Sequence, residues 1–217
     1  AVRESAAAAP AAAPAPADTS TPAPPPAPAA PAASSAVPEM TLRSATGATM
    51  RLVNPGDSAQ AARYSVQLVA ANTLEGAYTK RREAGWLPAA TISPMTVAPQ
   101  GVRWFRLTVG AYVDRPSAEA YMATLRNRGK LAADAGTVVE VPFAVLLDSM
   151  VPASGAPRRV SAYLARGLPA YGLRQDDGTA RIFAGAFETA FQATLLADKL
   201  KANGLAPVVA YRTGRPF

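Results

Sequence analysis

Two stretches of this chain echo one another 75 positions apart, and a repeat of that kind fixes an architecture before any single motif does. The first reads Phe105-Arg106-Leu107-Thr108-Val109-Gly110-Ala111-Tyr112, the second Ala180-Arg181-Ile182-Phe183-Ala184-Gly185-Ala186-Phe187. Behind them, in the same register, stand Ala118 with Ala193, Leu125 with Leu200 and Gly129 with Gly204. Arg, Gly, Ala, aromatic, Ala, Leu and Gly recurring at one offset point to two related units, each of about 80 residues with a small core.

The rest of the chain is read around those units. Residues 1–38 are mostly Ala and Pro and offer no periodic apolar face. Ordering them would cost roughly 1–2 kcal/mol per residue in backbone entropy, with little apolar surface to offset it. They are expected to form a disordered, extended linker at about 3 Å per residue. Residues 39–61 form a lead-in, where Met40, Leu42, Met50 and Leu52 alternate around Thr46-Gly47-Ala48 and suggest a short hairpin. The first repeat unit is then 62–142 and the second 143–217.

Within each unit the signals alternate strand, helix, hairpin, helix, strand. Tyr64–Val69 alternates with period two, and Asn72-Thr73-Leu74-Glu75 opens a helix, with Asn72 as its expected cap. Two β-rich runs, 89–97 and 102–109, meet at Ala98-Pro99-Gln100-Gly101, and Pro94 marks the first as an edge strand. Asp114-Arg115-Pro116 begins a second helix that ends near Gly129, and 138–141 is a closing strand. The second unit repeats the order: strand 143–147, helix 160–167, hairpin 170–175 and 179–184 through Asp176-Asp177-Gly178, helix 191–203 and strand 207–212. The expected fold class is α+β, with two tandem β-α-β-β-α-β domains of ferredoxin/RNP type. Each is a four-stranded antiparallel sheet with two helices on one face and the other face bare. Gly110 and Gly185 read as tight strand-to-helix turns, since neither is followed by the glycines or the Lys-Ser/Thr of a phosphate loop.

Alternation also assigns faces. Phe105, Leu107 and Val109 form an apolar set for the helices, leaving Trp104, Arg106 and Thr108 on the bare face, where Gln67 joins them. A ring to stack on, forked donors and an amide make a binding surface in miniature. In the second unit Arg181 and Phe183 point outward and Leu146 takes the place of Gln67. That more apolar face suits either a contact with the first unit or a partner, as much as a second ligand site.

The chain has no Cys and no His, which removes thiolate metal sites, disulfides, Cys nucleophiles and the Ser-His-Asp arrangement. Catalysis would rest on carboxylates, Lys or Tyr, and no catalytic constellation, metal site or cofactor motif is found. The net charge of +7, from 22 Lys+Arg against 15 Asp+Glu, is compatible with nucleic acid, anionic lipid or an acidic wall polymer. Lys80-Arg81-Arg82 and the closing Tyr211–Phe217 read as solvated basic surface. No stretch is long and apolar enough to span a bilayer. A start at Ala1 suggests a processed protein or a cut fragment, so membrane attachment is expected only through an anchor outside this chain.

At Tyr64-Ser65-Val66-Gln67-Leu68, at Trp104–Tyr112, and at Ala118 and Leu125, the sequence resembles the SPOR (sporulation-related repeat) family. The resemblance covers roughly 62–142 and, more weakly, 143–215. It implies small β-α-β-β-α-β domains that bind peptidoglycan glycan strands stripped of stem peptides, in the periplasm and envelope of a bacterium, at the division septum. It implies a glycan site at Gln67 and Arg106, to which the face assignment adds Trp104 and Thr108. Arg181 matches in the second copy, with Phe183 beside it, while Leu146 in place of Gln departs from the pattern. Partners would be glycan strands and other envelope or division proteins. A pair of RNA-recognition domains has the same element order, but the third strand lacks the basic-Gly-aromatic-Gly-aromatic run, which disfavours nucleic acid. A purely structural module of an envelope complex is the remaining alternative.

Overall fold

In the computed structural model, which describes residues 40–43, 47, 49–97 and 101–217, a hairpin of β1 (Met40–Arg43) and β2 (Thr49–Leu52) precedes two runs of alternating strands and helices. The first comprises β3 (Tyr64–Ala71), α1 (Leu74–Glu83), β4 (Thr91–Val97), β5 (Val102–Tyr112), α2 (Arg115–Asn127) and β6 (Thr137–Glu140). The second comprises β7 (Phe143–Pro152), α3 (Ala156–Ala165), β8 (Ala170–Arg174), β9 (Thr179–Phe187), α4 (Ala190–Ala202) and β10 (Val208–Tyr211), followed by the short β11 (Arg215–Pro216). The linker 1–38, the flanks of the Thr46-Gly47-Ala48 turn and the Ala98–Gln100 turn lie outside the described residues.

The fold is mixed α+β. The first sheet has the order β4-β5-β3-β6, and the core of the second repeats it as β8-β9-β7-β10. The second sheet is longer. The hairpin adds β2 parallel to β10 at Leu52 and Val209, and β11 pairs with β8 on the far edge. Both edges of its four-stranded core are thereby partly paired, which reduces the unpaired backbone groups that invite edge-to-edge association.

Local chemistry explains the elements. Thr73 caps α1 by accepting a hydrogen bond from the Gly76 amide, displacing the expected Asn72 by one residue. Asp114 caps α2 through the Ser117 amide, and Thr189 caps α4 through that of Gln192. Strand β7 continues five residues beyond the sequence expectation, to Pro152, and α3 accordingly begins at Ala156. The inner sheet faces pack on the helices: Val66, Ile92, Leu107 and Val109 against Ala77 and Leu125 in the first, and Val145 and Val209 against Ala193, Ala197 and Leu200 in the second.

Gly110 and Gly185 are bulge glycines inside long strands instead of strand-to-helix turns. The β3–β5 register advances two residues on β3 for three on β5 (Tyr64 to Tyr112, Val66 to Val109), and β7–β9 does the same at Gly185. Both have positive φ, +75° and +71°. An added Cβ would collide with the ring two residues ahead, Tyr112 or Phe187. A second bulge sits at Leu68 in β3 and at Leu147 in β7. The two halves thus repeat these two irregularities as well as their strand order, and β7 adds a third between Asp148 and Val151.

Candidate functional site

Strand pairing defines the outer face of the first sheet. Thr91 lies opposite Thr108, Ser93 opposite Arg106 and Met95 opposite Trp104, while Gln67 lies between Thr108 and Thr137. Gln67, Trp104, Arg106 and Thr108 therefore share one surface, as the alternation predicts. That surface is only partly open. Gln67 and Trp104 are half-buried, whereas Arg106 is 7% exposed and Thr108 1%.

The cover comes from the second half. The end of β9 passes over β4, and the Gly185 and Ala186 amides donate to Thr91 Oγ1 (3.0 Å) and Ser93 Oγ (2.7 Å). Thr91 Oγ1 in turn donates to the Pro169 carbonyl at 2.6 Å. Just beyond, Glu188 Oε1 accepts from Arg106 Nη2 at 2.6 Å, the Arg side chain 9% exposed and the Glu side chain 47%. Arg106 Nε and Thr108 Oγ1 are buried without any hydrogen-bond partner. The expectation of an open Arg106 and Thr108 is therefore corrected. Small hydroxyl side chains at 91 and 93 let a neighbouring backbone approach closely, and that approach removes 106 and 108 from solvent.

The second sheet's outer face is closed over its centre, with Arg181 and Leu146 half-buried at its margin. Phe183 is fully buried in a cluster with Tyr171, Leu173, Ala144 and Ala210 of its own half and Ala62 and Ala111 of the other. It cannot stack on a sugar. Arg181 is half-buried and committed: its Nη1 donates to Asp57 Oδ2 at 2.9 Å and Thr213 Oγ1 at 2.6 Å. The structure thus separates Arg181 and Phe183 from the four residues of the first face.

Arg212, read in the sequence as part of a solvated tail, is completely buried at the junction. Its Nη1 donates to Ser65 Oγ (2.9 Å) and the Val141 carbonyl (3.0 Å), and its Nη2 to the Gly110 carbonyl (3.0 Å) that the bulge exposes. The guanidinium carbon also lies 5.6 Å from the centre of the Tyr171 ring. Burial pushes the Tyr171 phenol above its ordinary pKa, so it stays a neutral donor, here to the Gly185 carbonyl at 3.0 Å. The roles of Arg212 and Glu188 were not legible in the sequence because their side-chain hydrogen-bond partners lie at least 70 positions away. The alternation of Thr91, Ile92 and Ser93 was the one local sign of a tightly approached face.

Among the described residues no cluster of three Asp or Glu side chains is placed to hold a metal ion, and no helix is long and apolar enough to cross a membrane. The Lys80–Arg82 run, expected as solvated surface, is engaged throughout: Lys80 with Glu83, Arg82 with Thr79, and the half-buried Arg81 with the Ala170 carbonyl of the other half. Residues 60–133, which contain this face, match the family model of the SPOR domain. That domain is a peptidoglycan-binding module associated with cell division and typical of bacterial envelope proteins, and its family is a binding family, not a catalytic one. No curated protein and no solved structure matches the chain.

Proposed function

We propose that this chain is a non-catalytic peptidoglycan-binding protein of the bacterial cell envelope, holding glycan strands at the division site through the outer face of its first sheet. The second half is a divergent copy of the same domain that serves as a platform. One observation carries the reading. Within the SPOR-matched segment, the Trp104 ring and Gln67 amide stay accessible beside Arg106, whose counter-charge is a carboxylate on a half-exposed side chain, Glu188.

The chemistry follows from those groups. A sugar ring stacks on Trp104, and Gln67 bonds hydroxyl or acetamido groups. A lactyl carboxylate of muramic acid takes the place of Glu188 on Arg106, exchanging one carboxylate for another. The buried guanidinium stays paired throughout, so the exchange avoids the cost of stranding it. A basic protein also suits an anionic polymer. RNA recognition is less well supported, because readers of single-stranded RNA stack two or three bases on sheet aromatics and the described face offers one ring, Trp104.

The test is co-sedimentation with purified sacculi stripped of stem peptides, set against single-stranded RNA. Trp104→Ala and Gln67→Ala should each lower retention about tenfold, and Glu188→Gln should raise it. Retention unchanged by Trp104→Ala and Gln67→Ala, or RNA binding with a steep salt dependence, would sink the reading.

A further inference from the structure

A groove of about 880 Å³ runs along the seam between the halves, mostly on the helix side of β4, and touches the outer face only at Met95, opposite Trp104. One wall carries Tyr78 of α1 and Pro94 of β4, the other Leu195 and Lys199 of α4. Its floor is apolar, with Ile92 and Leu200 almost fully buried. The walls are pinned to each other: the Tyr78 hydroxyl donates to the Gly167 carbonyl, and Thr91 to Pro169. The groove is therefore pre-formed, and its volume lies in the ~300–1,000 Å³ range that encloses a drug-sized ligand or a short peptide.

Two further features point to an occupant. Leu74 and Leu195, 38% and 36% exposed, stand on the groove from opposite halves, an apolar pair left toward solvent. Three cations, Arg103, Arg166 and Lys199, also line it, and none forms an ion pair among the described residues. Against them stands one carboxylate among the lining residues, Asp198.

We propose that this groove is a separate docking site for an extended acidic segment of a partner protein, one that alternates carboxylates with aliphatic or aromatic side chains. The carboxylates meet Arg103, Arg166 and Lys199, and the apolar side chains enter between Leu74 and Leu195 onto the Ile92–Leu200 floor. A glycan fits this surface poorly, because an aliphatic floor returns none of the hydrogen bonds that its buried hydroxyls would lose. A second copy of the chain, at +7, meets the cations with like charge. The chain's own Ala/Pro-rich stretch before residue 39 holds only Glu4 and Asp18 as acids. The proposal goes beyond glycan binding and does not depend on it.

The experiment titrates the whole 217-residue chain into fluorescein-labelled octapeptides that alternate Asp/Glu with Leu/Ile/Phe, read by anisotropy. Matched peptides with Asn/Gln at the acidic positions serve as controls. The acidic set should bind at least about tenfold more tightly than its amide counterpart, with an affinity that falls as salt rises. Arg103→Glu with Lys199→Glu, both on exposed side chains, should abolish that preference, and Leu195→Asp should weaken binding separately. Trp104→Ala should leave peptide binding intact while lowering retention on sacculi, which keeps the two sites distinguishable. The proposal is overturned if acidic peptides fail to bind, bind no better than their amide counterparts, or ignore the charge reversals. It is equally overturned if the charge reversals remove sacculus retention instead.

Discussion

The first and second sheets share strand order, bulge positions and bulge glycines, yet they treat their outer faces in opposite ways. Positions 106 and 108 of the first are Arg and Thr, and the equivalent 181 and 183 of the second are Arg and Phe. Gln67 of β3 pairs with Thr108, whereas its counterpart Leu146 of β7 pairs with Phe183. The apolar face is sealed by a cluster centred on Phe183 and Tyr171. The polar face is held by a few directed bonds, which Thr91 and Ser93 accept from the Gly185 and Ala186 amides and Arg106 donates to Glu188. Apolar burial is non-directional and is lost only by exposing the whole patch to water. A hydrogen bond or an ion pair can be exchanged for an equivalent partner. A face closed by exchangeable contacts remains available to a ligand that offers the same groups, and a face closed by Phe183 does not.

That contrast can be broken experimentally. Phe183→Ala removes a fully buried ring and should cost about 3–5 kcal/mol by chemical denaturation. A cost below about 1 kcal/mol would mean that the second face is not sealed as described. Arg212→Met should cost about 2–4 kcal/mol, because it strands the Val141 carbonyl and loosens Ser65 and the Gly110 bulge together. Both losses should appear in one cooperative transition, since each residue joins the two halves.

Gly110→Ala and Gly185→Ala test whether the halves share their backbone rules. Each forces a side chain onto a positive-φ position beneath a ring and should cost about 1–3 kcal/mol, with similar values at the two sites. Thr108→Val sharpens the contrast from the other side. It replaces a buried hydroxyl lacking a partner with a methyl group, and stability should stay level or rise by up to about 1 kcal/mol. A clear loss would show that the hydroxyl is bonded.

The smallest effect concerns acid. Asp114, capping α2 in the first half, and Asp177, in the β8–β9 turn of the second, are held below the ordinary carboxylate value of 3.8 by hydrogen bonds, from Ser117 and Thr179 respectively. A carboxylate lowered on folding contributes stability that is present above its unfolded value and lost as pH falls through the folded one. Thermal midpoints should therefore decline below pH 3.8, and Asp114→Asn and Asp177→Asn should each flatten that decline slightly.

Much of the fold was legible because it rests on local signals. Period-two strands, the capping Asp114, the Pro94 edge strand and the Asp-Asp-Gly turn each act over a few residues, and the repeat aligned them twice. The placement of Gln67, Trp104, Arg106 and Thr108 on one face followed from alternation alone. The accessibility of that face did not, because it depends on Glu188, Gly185 and Ala186, some 80–95 positions away in sequence. The same holds for the lead-in hairpin, whose alternation suggested two strands but could not say that β2 would join β10 of the far half.

The sequence by itself determined that the chain builds the same sheet twice, with one outer face polar and the other apolar, because side-chain period and turn chemistry are short-range properties. Only the tertiary structure decided which groups on those faces remain for a ligand. Arg212 met Gly110, Glu188 met Arg106 and Phe183 met Ala62 and Ala111 through packing between distant segments. Burial and pairing at such a seam depend on which surfaces come to rest together, and no local pattern encodes that.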